Sequence, residues 1–224
     1  VGNARGACTV SQDLLKQAIA LVNAPGTPDF AAVQEFQQRT CELQMVNLIQ
    51  LPVEELRCFF INIFNVLVLQ ARITSKAPVS DAHIVPRCSF FRNTSYQVGK
   101  YFYSLDDVCR GILRAKKCIF LQCDARVHFA LSYGTPATPP PRVFTPENLE
   151  RELEAATRKF CSERVRVDMA QGEVTLPVIF DWYRKDFSSS PVGLLNWVAP
   201  RLPTSLANQL SQLSQRKEIK ITFE

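Results

Sequence analysis

The chain has 224 residues, of which 46% are hydrophobic, 21% charged and 10% aromatic, with 8 glycines and 14 prolines. A chain of this length buries about 70% of its unfolded surface when compact and builds a core without staples, which excludes a disordered tail, a collagenous repeat and a disulfide-dense mini-protein. The 26 Lys and Arg against 21 Asp and Glu leave a net charge of +5. That excess is spread along the chain and makes no case for a nucleic-acid partner.

Residues 11–24 place Leu14, Leu15, Ile19 and Val22 on one helical face, with Ser11 as N-cap and Pro25-Gly26 as the stop. A second helix is predicted over about Asp29 to Leu48. Pro52, followed by Glu54 and Glu55 at the positive helix end, opens a third helix over about 53–72, the most apolar element of the chain. Tyr96 to Tyr103 reads as a hairpin turning at Gly99-Lys100. Ser104 with Asp107 makes a capping-box-like start for a helix through Ala115. Residues 126–131 fit a strand or a helix by spacing. Pro136 and Pro139-Pro140-Pro141 stiffen the following loop, and Thr145-Pro146-Glu147 starts a helix to about Cys161. Val165 and Val167 mirror Val174 and Leu176 across Gly172 as a second hairpin. Pro177 opens a helix to Phe187, and a short helix near Leu206 to Leu213 precedes a closing strand over Glu218 to Glu224. Helices and short strands alternate without βαβ regularity. The expected fold is therefore α+β, a single mixed domain with several helices packed on short antiparallel strands.

The cysteines Cys8, Cys41, Cys58, Cys88, Cys109, Cys118, Cys123 and Cys161 contain no C-x-x-C pair, and the histidines are His83 and His128. No structural-zinc spacing, P-loop or dinucleotide fingerprint arises, so neither a metal nor a cofactor is expected. Cys58 before Phe59-Phe60 and Cys118 before Ile119-Phe120-Leu121 read as reduced, buried thiols, which fits a cytoplasmic setting. Val1 to Val10 lacks the apolar run of a signal peptide. Cys58 to Ala71 is interrupted by Asn62, Asn65 and Gln70 and falls short of the ~20 apolar residues of an integral membrane span. The start and the closing strand are those expected of a domain within a longer polypeptide.

Two constellations carry polar groups into apolar surroundings. On the 53–72 helix, Leu56, Phe60, Ile63 and Leu67 form a buried face, while Glu55, Cys58, Asn62, Asn65 and Arg72 form a second line. Apolar neighbours crowd that line, so Asn62 and Asn65 are expected to be buried and hydrogen-bonded; an unpaired buried amide costs ~1–3 kcal/mol. They either orient a catalytic or ligand-binding group or bond loop backbone and fix how the chain crosses the helix. His128, between Val127 and Phe129, is a core histidine or a general base, and Gly134 ahead of the proline loop suits a close backbone approach to a ligand. The cluster Arg110, Arg114, Lys116 and Lys117 is a solvated helix end favoured by the dipole.

The ordered blocks Glu55 with Phe60-Ile-Asn-Ile-Phe-Asn65, Tyr96-Gln-Val-Gly with Tyr103-Ser-Leu-Asp-Asp, Gly111-Ile-Leu-Arg114, Asp124-Ala-Arg-Val-His-Phe-Ala-Leu131 with Gly134, and Phe144-Thr through Leu149-Glu150 resemble the family known as domain of unknown function 547. The resemblance extends through Ile179 to Phe187 and covers residues 50–224, leaving 1–49 as an N-terminal helical extension of one domain over 1–224. It implies a module of a multidomain protein with no established activity. Many bacterial members resemble a thiol-enzyme layout, and by that likeness the fold is distantly papain- or transglutaminase-like. Where those members carry Cys-Pro-Pro, this chain carries Thr138-Pro139-Pro140, and where a histidine is common it carries Gln70. A threonine hydroxyl is no comparable nucleophile without a dedicated base.

The expected function is a non-catalytic protein-interaction or scaffold module, with His128, Asn62 and Thr138 marking a degenerate catalytic site and Asn65, Glu55 and Gly134 a binding rim. The alternative is a cysteine-protease- or transglutaminase-like hydrolase or transferase using His128 as base and Asn62 as orienter. The expected partner is another protein, without nucleic acid or an integral membrane segment.

Overall fold

The computed structural model describes residues 5–26, 29–49, 51–74, 89–114, 123–134, 137–215 and 219–224. Val1, His83, Cys88, Ala115, Lys116, Lys117, Cys118, Ile119, Phe120, Leu121, Pro136 and Glu218, named above, lie outside them. The fold is α+β, and the chain divides into two compact units, Val1–Glu150 and Arg151–Glu224.

The first unit is organised around helix α3, Val53–Thr74, in which every residue from Cys58 to Leu69 is buried. A helix that is enclosed all round becomes a core axis and not an amphipathic surface element. Glu54 and Glu55 in its first turn and Arg72 in its last complement the helix dipole. By length and composition α3 could cross a membrane, but 67% of its most apolar window is buried within the protein, as in the core helix of a globular unit.

Helix α1, Ala7–Asn23, packs along α3. Ala7, Ser11, Leu14 and Ala18 recur at helical spacing on its buried side, and three of the four are small, which lets the two backbones approach closely. The helix starts at Ala7, a full turn before the expected cap. Ser11 is buried inside it and donates to the Cys8 carbonyl at 2.9 Å. Ala7 and Val10 already continue the apolar periodicity, and Gly6 holds the cap position. Helix α2, Phe30–Thr40, ends earlier than expected and tightens into a 3-10 turn, Cys41–Met45.

After a short helix α4, Ser89–Asn93, the predicted hairpin forms as β1, Ser95–Val98, and β2, Tyr101–Ser104, with Val98 opposite Tyr101. Gly99 sits at φ +57°, and a Cβ there would lie 3.0 Å from the Val46 carbonyl, so the turn needs glycine on both counts. The capping box is present. Asp107 N–H donates to Ser104 Oγ at 3.1 Å, and Ser104 N–H donates to Asp107 Oδ2 at 3.2 Å. The turns that follow are wider than an α-helix, with π geometry over Asp107–Leu113. Arg110 pairs with Asp106 at 3.0 Å. The ambiguous 126–131 segment resolves as a 3-10 turn, Ala125–Phe129, followed by irregular chain.

A 3-10 turn, Pro146–Asn148, leads into α5, Leu149–Arg164. In the second unit the predicted hairpin is β3, Arg166–Asp168, and β4, Glu173–Leu176, with Val167 opposite Val174. The closing strand β5, Lys220–Phe223, joins β4 in parallel and not antiparallel, pairing Val174 with Ile221. Parallel pairing needs a long crossover. The helices between the two strands supply it: α6, Ile179–Trp182, α7, Arg184–Phe187, α8, Pro191–Val198, and α9, Thr204–Ser214. The helix predicted from Pro177 breaks at Tyr183 into α6 and α7. Helix α8, which the sequence reading missed, is capped by Ser190, whose Oγ accepts from Gly193 N–H at 3.0 Å.

Candidate functional site

The two amides of α3 are fully buried, and both hold backbone of the segment that follows the 3-10 turn. Asn62 Nδ2 donates to the Phe144 carbonyl at 3.0 Å, and Phe144 N–H donates back to Asn62 Oδ1 at 3.0 Å. One residue of irregular chain is thereby paired as it would be in a sheet, with a side chain acting as the neighbouring strand. One turn on, Asn65 Nδ2 donates to the Ala130 carbonyl at 2.9 Å, and Ser132 N–H donates to Asn65 Oδ1 at 2.8 Å. Irregular backbone inside a core must find partners for its polar groups, and these two amides provide them. Cys58 adds a third contact at the same place, its Sγ donating to the Phe144 carbonyl at 3.2 Å.

Thr138 works on the same segment from within. It is buried, and its Oγ1 accepts from Tyr133 N–H at 3.2 Å. Tyr133 is wedged between aromatic rings, 5.4 Å from Phe64 edge-on and 5.7 Å from Phe91 in a stacked arrangement. Gly134 follows at φ +80°, where a Cβ would lie 3.1 Å from Arg72 Cδ and 3.5 Å from Val68 Cγ1. The positive φ favours glycine there, and the chain packs closely against Val68 and Arg72 of α3.

His128 is fully buried in the 3-10 turn, between the buried side chains of Val127 and Phe129. Asp124 caps that turn, its Oδ1 accepting from Arg126 N–H at 3.0 Å. The Arg126 guanidinium grips the same carboxylate, at 2.7 Å from Nη2 to Oδ2, and reaches Glu150 at 2.6 Å. Arg57 Nη1 of α3 lies 3.9 Å from the same Oδ2. Burial pushes the Asp124 carboxyl up, but the hydrogen bonds and charge of Arg126, with the Arg57 charge, outweigh it and hold the group below the usual carboxylate range.

A carboxyl depressed in the folded state contributes stability that is fully present above its unfolded pKa of about 3.9 and is lost as pH falls through the folded value. As pH falls from about 5 to about 2, the wild-type melting temperature is therefore expected to fall more steeply than that of Asp124→Asn. Parallel Tm–pH curves for the two proteins would contradict this.

Glu55 stands half-buried in the first turn of α3, where its backbone carbonyl accepts from Cys8 Sγ at 3.3 Å. Gln70, near the end of the buried run, keeps its Oε1 inside with no hydrogen-bond partner among the described residues. The structure thus brings Asn62, Asn65, Thr138 and Gly134 to one stretch of chain, residues 130–144, with His128 at its entrance. Glu55 stands apart from them, toward α1. Among the described residues, no group of three or more His, Cys, Asp or Glu is placed to hold a metal ion.

Sequence reasoning missed the receiving side of these contacts. Phe144 reads as an ordinary apolar residue, and the backbone groups of Ala130, Ser132 and Phe144 carry no signal in a one-letter string. It also missed an apolar groove of about 720 Å³ in the first unit. It is lined by Val46, Leu48 and Ile49, by Leu56 and Phe60 of α3, and by residues of the hairpin that include Val98, Tyr101 and Tyr103. Ile49 and Tyr101 are 88% and 67% exposed, a large apolar presentation for a surface. Asn62, Asn65, His128 and Thr138 do not line it.

Fold and site together define an α+β domain built on a buried, amide-bearing helix that clamps an irregular segment. The family described as "Protein of unknown function, DUF547" matches residues 48–161, about half the chain and all of the contacts made by Asn62, Asn65 and Thr138, and the chain belongs to that family. No curated protein and no solved structure matches it.

Proposed function

We propose that this chain is a non-catalytic or catalytically impaired interaction module of a larger intracellular protein, in which the histidine–asparagine constellation braces the fold. The observation that carries this reading is the reciprocal pairing of Asn62 with the backbone of Phe144. An orienting amide in a thiol enzyme directs its oxygen or nitrogen at the catalytic imidazole, whereas here both ends of the amide engage one backbone unit. Thr138, at the position where the family resemblance places a nucleophile, accepts a backbone hydrogen bond. The apolar groove supports the interaction half of the proposal, since it presents large side chains to solvent next to a buried core.

The rival reading is a hydrolase or transferase with His128 as base. Peptide amide substrates, together with a thiol-directed probe, separate the two. The module reading expects background turnover and labelling unchanged in His128→Gln, a variant that keeps most of the side-chain volume, once circular dichroism shows it folded. Robust turnover abolished in folded His128→Gln would overturn the proposal.

A further inference from the structure

The sheet of the second unit has the order β3-β4-β5, so β5 closes it with one side open. On its inner side, Lys220 N–H donates to the Gly172 carbonyl at 3.1 Å and Glu224 N–H to the Leu176 carbonyl at 2.9 Å. The Glu224 carbonyl accepts from Val178 N–H at 2.7 Å. Main-chain groups alternate in direction along a parallel ladder, so Ile221 and Phe223 turn their N–H and C=O groups away from β4. Among the described residues no hydrogen bond reaches those four groups. An open strand edge of this kind is a template for another strand.

The run Lys220-Ile-Thr-Phe-Glu224 is complementary to itself when reversed. A second copy turned end for end about Thr222 sets Ile221 opposite Phe223 and Phe223 opposite Ile221. These are the residues with outward main-chain groups, so each pair exchanges two N–H···O bonds. The Thr222 pair on the two-fold axis then falls at the non-hydrogen-bonded position that antiparallel alternation requires. The side chains agree with the main chain. Ile221 and Phe223 lie half-exposed on the face of the buried Val174 and Leu176, and an aromatic against a β-branched residue is a favourable cross-strand pair. On the other face, Lys220 of each copy meets Glu224 of the other. Within the chain Lys220 pairs with Glu173 at 3.3 Å and Glu224 with Arg166 at 3.5 Å, yet the Lys220 and Glu224 side chains both stay 69% exposed and open to a second partner. Parallel pairing would oppose like charges, and a slip of two residues would break both ion pairs, so charge selects this one register.

We propose that β5 is a homodimer interface, at which two copies of this chain join by antiparallel pairing centred on Thr222. The product is one continuous sheet, β3-β4-β5 followed by β5-β4-β3 of the second copy, about a two-fold axis. Each copy presents the same residues, as an isologous contact does. A single short strand per copy makes a small contact, so the dimer is weak and concentration-dependent.

Sedimentation velocity of the 224-residue chain from about 1 to about 500 μM tests the pairing, beside Lys220→Glu and Glu224→Lys prepared separately. The wild type is expected to shift from monomer to dimer mass across that range. Each substitution turns both intermolecular ion pairs into like-charge pairs and is expected to weaken association about tenfold or more. An equimolar mixture of the two variants should dimerise again, since one strand then carries two carboxylates and the other two ammonium groups. The internal pairs with Glu173 and Arg166 do not return on mixing, so this rescue separates the interface from any effect on folding. Ile221→Pro, which removes an outward N–H and no bond to β4, should also abolish the dimer in a protein that circular dichroism shows to be folded. A wild type that stays monomeric, a dimer indifferent to the single substitutions or to Ile221→Pro, or a mixture that remains monomeric overturns the proposal.

Discussion

Asn65→Leu is expected to lower the unfolding free energy by about 2–5 kcal/mol, although leucine nearly matches asparagine in shape and adds apolar surface to a buried position. The Ala130 carbonyl and the Ser132 N–H lose the partners that Asn65 provides inside the core, at about 1–3 kcal/mol for each group left unpaired. Transfer free energy alone would give the opposite sign, which makes the substitution decisive between an amide that serves the backbone and one that is merely tolerated. Asn62→Leu should cost less, because the Phe144 carbonyl keeps the Cys58 thiol at 3.2 Å and only the Phe144 N–H is orphaned. Urea unfolding of both variants, with similar m-values, reads the order directly. Midpoints equal to or above that of the wild type would show that neither amide bridges backbone.

The second large effect is expected from Phe64→Ala, at about 3–5 kcal/mol. Phe64 is fully buried on α3 and meets Tyr133 at 5.4 Å and Phe91 at 6.1 Å. Removing it leaves a cavity where Tyr133 enters the core and takes away the edge-on ring contact. Tyr133 lies between Ser132, which Asn65 holds, and Gly134, which presses on Arg72. Phe64→Ala and Asn65→Leu therefore release adjacent residues of one segment, and the double variant should lose less than the sum of the two singles. A loss below about 1 kcal/mol for Phe64→Ala in the same urea titration would mean that the ring cluster is loosely packed.

The helix of residues 53–74 was legible because its apolar residues recur on every face and its first turn carries Glu54 and Glu55. The burial of Asn62 and Asn65 followed from the same crowding. Both hairpins were legible from Gly99 and Gly172, each of which adopts a positive φ between β-prone runs. What Asn62 and Asn65 hold was not legible, because main-chain groups at Phe144, Ala130 and Ser132 look alike in any sequence and are chosen by the path of the chain. The start of α1 was misplaced since Ser11 resembles a cap, whereas a serine inside a helix can donate to the carbonyl one turn back. The parallel pairing of β5 depends on where four short helices deliver the chain, a long-range outcome that local periodicity does not carry.

Native-state hydrogen exchange at the Ser132 and Phe144 amides tests most directly whether α3 clamps the 130–144 segment. Neither residue lies in a helix or strand, so strong protection there has to come from Asn65 and Asn62. Both amides are expected to exchange only through global unfolding, as slowly as those in the middle of α3, with Phe144 losing that protection in Asn62→Leu. Exchange of the two wild-type amides at rates near those of an unfolded chain would contradict the clamp and the scaffold role built on it.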